Sequence, residues 1–332
     1  MKRLFFLLCL LVGFAGNANE SRQRHAISYQ GGARFGDRML VYAQARYLSY
    51  VTSVPFLYRP FIYSDQVTID CEAALFDQYR GNYSRTLIVN SLSTLVDLFR
   101  LIEDPQTAPT LFIVDYFPSD ITEWDRDASN QLLLNIPWRD PAFHTYLQKV
   151  ASPRIPIPNF RKEAVLNVAD HVRMLSGEDT EDTSVATLPL KHPNLIYHKN
   201  QIRRIYHLNK QRPMHVFIFS DTKDPEGLIK EFRRTFATLN IEFGIQILKN
   251  SDTEYAVHDF FAMQKFDALI ATQSNFSMMA SRIGSFDMVI FPIHIQGKYP
   301  RTQVDRIQLI SHKSSWFPYD INITVREDVK YE

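Results

Sequence analysis

Beyond residue 160 the apolar positions fall into short runs separated by amphipathic stretches. Runs at 164–168, 214–219, 241–248, 268–271 and 288–291 read as strands, and the intervening 195–208, 225–236, 254–264 and 277–283 read as helices. Asp224 before Pro225 supplies an N-cap followed by the residue best suited to a first helical position. Regular alternation of this kind predicts a parallel sheet covered by helices, with ligands at the carboxyl ends of the strands.

The first half is also mixed. Residues 26–29 read as a strand, then come a glycine turn and a helix over 38–51. Strands at 86–89 and 110–114 flank a helix at 92–102, and a further helix covers 141–150. Between the halves, Ser152 to Phe160 carries three prolines, which resist both helix and central strand. The chain is therefore expected to hold an N-terminal α/β domain at 24–152, a linker at 153–163, a C-terminal Rossmann-like domain at 164–310 and a tail at 311–332, with a ligand cleft between the halves.

Composition narrows the class. At 332 residues with 45% apolar and 22% charged side chains, the chain can bury a large core. A formal net charge of +1 gives no field suited to nucleic acid, so no nucleic-acid partner is expected. Lys2 and Arg3 precede an apolar run over 4–15, and Gly16-Asn17-Ala18 follows. Residues 1–18 are expected to be a cleaved signal peptide that sends the chain to the periplasm or out of the cell. An uncleaved segment would instead anchor it through 4–15 in a secretory compartment. Of the two cysteines, Cys9 lies in this segment and Cys71 stands alone, which leaves no internal disulfide in the mature chain and no cysteine cluster for a metal.

Five constellations carry chemistry. Gln30 to Arg38 sits between a strand and a helix, where Gly31, Gly32 and Gly36 let backbone approach an anion. The spacing is not that of a dinucleotide fingerprint, and a plain tight turn explains the glycines equally well. His171-Val172-Arg173 follows the strand that opens the second half. An arginine fork there fits a diphosphate and would stabilise a departing one. The acidic run Glu178, Asp179, Glu181, Asp182 offers general bases without distinguishing among them. Ser220 and Asp221 end a strand on the ligand-binding rim, where they serve either a ligand or helix capping. In 254–284, Asp259 lies on a helix, and Ser274, Asn275 and Ser277 lie in a polar turn entering the next. Its unpartnered first amides suit phosphate, and a carboxylate can accept from the N1–H and amino edge of guanine.

In that order these motifs resemble the fucosyltransferase superfamily, which includes α-1,2-, α-1,6- and protein O-fucosyltransferases. The segments concerned are GGARFGDRMLVYAQARYL, HVR at 171–173, VFIFSD at 216–221 and DFFAMQKFDALIATQSNFSMMA at 259–280. The resemblance spans roughly 26–295. It implies two Rossmann-like domains in a GT-B-like arrangement and inverting, metal-independent transfer from a GDP-sugar to a glycan or protein hydroxyl. No cofactor is implied beyond the GDP-sugar co-substrate. It further implies that Arg173 holds the diphosphate, that His171 and Asp259 bind the nucleotide, that Ser277 contacts phosphate, and that Glu181 is the base. Two departures point to an alternative, a binding protein of the same fold without catalysis. Met174, Leu175 and Ser176 follow HVR where the family often continues with Arg and Asp, and Gly36-Asp37-Arg38 stands in place of Gly-Asn-Gln.

Overall fold

The computed structural model describes residues 24–31, 34–70, 74–115, 136–138, 140–174, 190–246, 255–293, 304 and 306–326. The expected signal segment at 1–18, Gly32, Cys71 and the acidic run with Glu181 lie outside them. The chain divides into two compact units.

Unit 1 comprises residues 1–64, 69–120 and 132–136. Its three-stranded parallel sheet has the order β1 (Ala26–Tyr29), β5 (Thr110–Val114), β4 (Arg85–Val89). A two-residue pair, β2 (Leu57–Tyr58) and β3 (Ala74–Leu75), lies beside it in sequence. Helix α1 (Phe35–Thr52) begins three residues earlier than its apolar pattern suggests, because the Asp37 carboxylate accepts from the Arg34 amide and closes the first turn. Two further helices follow, α2 (Phe76–Tyr79) and α3 (Leu92–Glu103). β1 and β5 are buried throughout, and Tyr29, Tyr42 and Phe56 interlock as an aromatic cluster beneath α1.

Unit 2 takes in residues 65–68, 121–131 and 137–332. Helix α4 (Pro141–Val150) therefore groups with the second unit rather than with the N-terminal half. Gln148 on it donates to the carbonyl of Ile283. The seven-stranded sheet has the order β12-β11-β10-β9-β6-β7-β8. Its strands are β6 (Leu166–Val172), β7 (Met214–Ser220), β8 (Ile241–Ile245), β9 (Ala268–Ile270), β10 (Met288–Ile293), β11 (Arg306–Ser311) and β12 (Ile321–Arg326). From β8 to β10 the strands are parallel, and β11 and β12 add antiparallel to β10. Residues 311–332 were expected to be a tail. Instead 321–326 form the edge strand, because their alternating apolar positions pair with β11 across a turn closed on Phe317.

Four helices connect the strands: α5 (Leu195–Leu208), α6 (Pro225–Thr235), α7 (Tyr255–Met263) and α8 (Asn275–Ile283). α6 begins as its sequence predicts, with Asp224 accepting from the Gly227 amide at 2.8 Å. Their apolar faces and the sheet enclose one core in which Tyr197, Ile202, Val216, Phe232 and Ile270 are buried. No described helix is long and apolar enough to cross a membrane.

The opening strand departs from its expected span. The apolar pattern predicts 164–168, but Ala164 has φ of 58°, in the left-handed region, so regular pairing starts at Leu166. The strand then continues through two polar residues to Val172. Asp170 is tolerated there because His198 on α5 meets it at 2.7 Å, both side chains being fully buried.

Candidate functional site

Strand order in unit 2 locates the site. From β6 the chain moves to β7 and β8 on one side, then returns to β9 and β10 on the other, so β6 and β9 flank a reversal of strand order. Outside the carboxyl ends of two such strands the connections diverge and leave a crevice. Arg173 immediately follows β6, and the turn Thr272 to Ser274 follows β9.

The registers bring these ends level. Val172 pairs with Ser220, so Arg173 stands opposite Asp221 at the end of β7. Asp221 accepts from the Met174 amide at 2.6 Å through Oδ1 and keeps Oδ2 4.0 Å from Arg173 Nε. On the other side Arg173 Nη1 donates to Ser274 Oγ at 3.1 Å, and the arginine side chain is only 12% exposed. Ser274 also caps α8 by accepting from the Phe276 amide. A guanidinium is thus fixed beside a helix N-terminus, itself a partial positive charge. Two like fields converging on one rim are stabilised by an anion.

His171 lies one residue before Val172. Burial chiefly, with the Arg173 charge second and smaller contributions from His198 and His192, lowers its pKa to about 3. The ring is therefore neutral near pH 7. Its Nδ1 is 3.3 Å from Thr272 Oγ1, and its face lies 5.6 Å from the Phe276 ring. Phe276 in turn meets Phe260 on α7 at 5.4 Å. The aromatic contact links the rim to the helix that carries Asp259.

Asp259 is the most perturbed carboxylate among the described residues of the unit. Burial raises its pKa to about 7, opposed by a smaller lowering from Gln246. Its Oδ1 is sealed from solvent with no hydrogen-bond partner among the described residues, and the Gln246 amide, just past β8, lies beside the carboxylate. Groups so enclosed are costly to leave unpaired, roughly 1–3 kcal/mol each. A buried carboxylate beside an amide is chemistry for reading a donor–acceptor edge such as that of a nucleobase.

The remaining sequence candidates divide. Ser277 is fully buried, and its Oγ donates to the carbonyl of Thr272 at 3.1 Å, which holds the elbow. Ser220 Oγ accepts from the Thr222 amide and shapes the turn after β7. Asn275 opens α8 and is partly exposed. Gly31 and Gly36 belong to unit 1. Gly31 has φ of 84°, open to glycine, and lines a cavity there, whereas Gly36 is buried in the first turn of α1.

Three groups emerge only from the structure. Asp170 and His198 form the enclosed pair behind the rim, and the neighbouring Tyr197 hydroxyl donates to the Ala271 carbonyl at 2.9 Å, just past β9. Gln246 joins Asp259. Thr272 meets His171. A buried Asp flanked by Ala169 and His171 was the available signal for the first. Gln246 and Thr272 carry none, because their partners lie on distant strands.

Fold and site together define an open α/β unit whose strand reversal brings Arg173 to the N-terminus of α8. No family model matches the chain, and no curated protein matches it. Among solved structures it resembles fucosyltransferases. A point mutant of Arabidopsis thaliana FUT1 in complex with GDP aligns over 86% of this chain and 77% of that one, at 11% identity and a TM-score of 0.51. Fucosyltransferase NodZ from Bradyrhizobium covers 81% and 96% at 14% identity and TM-score 0.46. POFUT1 in complex with GDP-fucose covers 79% and 95% at 13% identity and TM-score 0.42. The likeness to FUT1 establishes a shared mixed α/β fold.

Proposed function

We propose that this chain is a glycosyltransferase that moves fucose, or a related sugar, from a GDP-sugar to a glycan or protein hydroxyl, with inversion and without a metal ion. The observation that carries the reading is Arg173 held between Asp221 and the Ser274 cap of α8. The shared fold with FUT1, whose structure holds GDP, favours the same nucleotide.

In the transfer, the acceptor oxygen bonds to the anomeric carbon while the bond from that carbon to the β-phosphate oxygen breaks. The electron pair leaves with GDP, and Arg173 and the first amides of α8 receive the added charge. Preorganised donors of this type typically contribute ~2.7–4 kcal/mol to the barrier. Neutral His171 presents a hydrogen-bonding ring without repelling Arg173. Asp259 and Gln246 would read the guanine edge. The acceptor proton needs a base, and resemblance assigns Glu181. Cleavage after residues 1–18 would release the enzyme to the periplasm or out of the cell, whereas an uncleaved segment would hold it in a secretory compartment.

The second reading, a nucleotide-binding protein without catalysis, rests on Met174 and Leu175 standing where a second basic residue is common in the family. Release of GDP from GDP-fucose separates the two. Turnover above a buffer control, lost in Arg173→Ala, is expected of the enzyme. GDP-fucose binding with no GDP released would establish the binding protein instead.

A further inference from the structure

Unit 1 contains a cavity of about 400 Å³ at the carboxyl ends of β1 and β5. Gln30, Gly31 and Asp115 form its strand side, with Arg38, Arg59 and Phe61 around it. Its position follows the same rule of parallel sheets that locates the rim of unit 2. Its volume is within the range of small-ligand sites, about 300–1,000 Å³.

Arg38 is the unusual member. It lies in the first turn of α1, where a cation opposes the helix dipole. Its Nε is sealed from solvent and has no hydrogen-bond partner, and its guanidinium forms no ion pair among the described residues. Across the cavity the Asp115 Oδ2 accepts from Gln30 Nε2 at 3.3 Å. The second cation, Arg59, lies with its guanidinium 5.2 Å from the Phe76 ring centroid. A guanidinium that lines a cavity and has no ion pair among the described residues suits an anion from outside.

The other walls combine an aromatic face with polar side chains. The Phe61 ring is held by Tyr29 and Phe35 at 6.2 and 6.3 Å and stays partly exposed, a flat apolar face for the C–H side of a pyranose. Asp115 and Gln30 supply acceptors and a donor for hydroxyls.

We propose that this cavity binds a sugar unit bearing an oxyanion (carboxylate, sulfate or phosphate). Arg38 takes the anion, Asp115 and Gln30 take ring hydroxyls, and Phe61 lies under the ring. The assignment concerns unit 1 alone and does not rest on the transfer reading.

Calorimetry on the full chain with glucuronic acid, glucose 6-sulfate, glucose, sodium sulfate and GDP tests it. Both charged sugars are expected to bind, with glucose and sulfate at least about tenfold weaker. Arg38→Gln should weaken the charged sugars about tenfold or more while GDP affinity and the melting midpoint hold. Arg38→Lys, which keeps the charge but not the fork, should fall between, and it replaces the glutamine variant if that one melts early. Failure of both charged sugars to bind overturns the proposal. So does binding of glucose or sulfate equal to theirs, or unchanged affinity in both Arg38 variants. Loss of GDP rather than sugar affinity in Arg38→Gln would also overturn it, by assigning the cavity to the nucleotide.

Discussion

Arg173 donates to the hydroxyl of Ser274 at 3.1 Å across 101 residues of sequence. Direct pairing of β6 with β9 makes this possible, since Asp170 and Ile270 are register partners and both chains leave the sheet at the same rim. The contact joins a fixed cation to the residue that caps the N-terminus of α8.

Arg173→Ala is expected to reduce release of GDP from GDP-fucose by about 10²–10³-fold, the usual cost of losing one preorganised donor to a developing charge. Arg173→Lys should recover only part of this, because an ammonium lacks the planar fork. Steady-state kinetics with a melting curve for each variant is the check. An alanine variant that turns over at the wild-type rate removes Arg173 from the mechanism.

Asp259 gives the protein a pH signature. Its carboxyl pKa rises from 3.8 to about 7 in the folded chain because burial penalises the charge. The folded state therefore holds the proton more tightly than the unfolded one, and the stability linked to it is lost as pH climbs from about 4 to 7. Asp259→Asn should abolish this slope and melt higher than wild type at pH 8, by on the order of a few kcal/mol. GDP affinity should move the opposite way. If guanine needs the ionised carboxylate, wild-type affinity at pH 6 is about tenfold below its plateau above pH 8. Calorimetry across that range, showing a flat affinity, would remove Asp259 from base recognition.

The enclosed pair of Asp170 and His198 is expected to be structurally costly to break. Replacing one partner leaves the other buried beside nothing, typically a loss of 3–5 kcal/mol. Asp170→Asn and His198→Ala should each lower the urea midpoint substantially. Tyr197→Phe, which deletes one hydrogen bond to Ala271, should lose only about 1 kcal/mol. A pair variant as mild as the phenylalanine change would contradict the assigned role.

Ser277 separates architecture from ligand contact. Its hydroxyl donates to the Thr272 carbonyl and receives the Thr272 amide at 3.4 Å. Ser277→Ala should therefore destabilise the chain by about 1–2 kcal/mol and weaken GDP binding only modestly. A selective loss of GDP affinity without a stability change would instead make the hydroxyl a phosphate ligand.

Much of unit 2 was legible in the sequence. The strand at 214–219, the helix opened by Asp224-Pro225 and the elbow at 274–277 each carry local signals that the packing keeps. Arg173 and the elbow were expected at one site, and strand pairing brings them to it. Local pattern failed where a distant partner decides the outcome. β6 passes through Asp170 only because His198 is there to meet it, and β12 becomes an edge strand only because β11 presents a free edge. The meeting of Gln246 with Asp259 is invisible until β8 and α7 are brought together. The cavity of unit 1 likewise depends on Asp115 arriving beside Gln30, 85 residues away.

The most direct measurement compares GDP with GMP, by calorimetry, on the wild-type chain and on Arg173→Ala. If Arg173 grips the outer phosphate, the wild-type chain binds GDP about tenfold or more tightly than GMP, and the alanine variant loses that preference while its GMP affinity stays close to the original. A preference for GDP that survives intact in Arg173→Ala would show that the diphosphate lies elsewhere and would contradict the reading of this rim as the donor site.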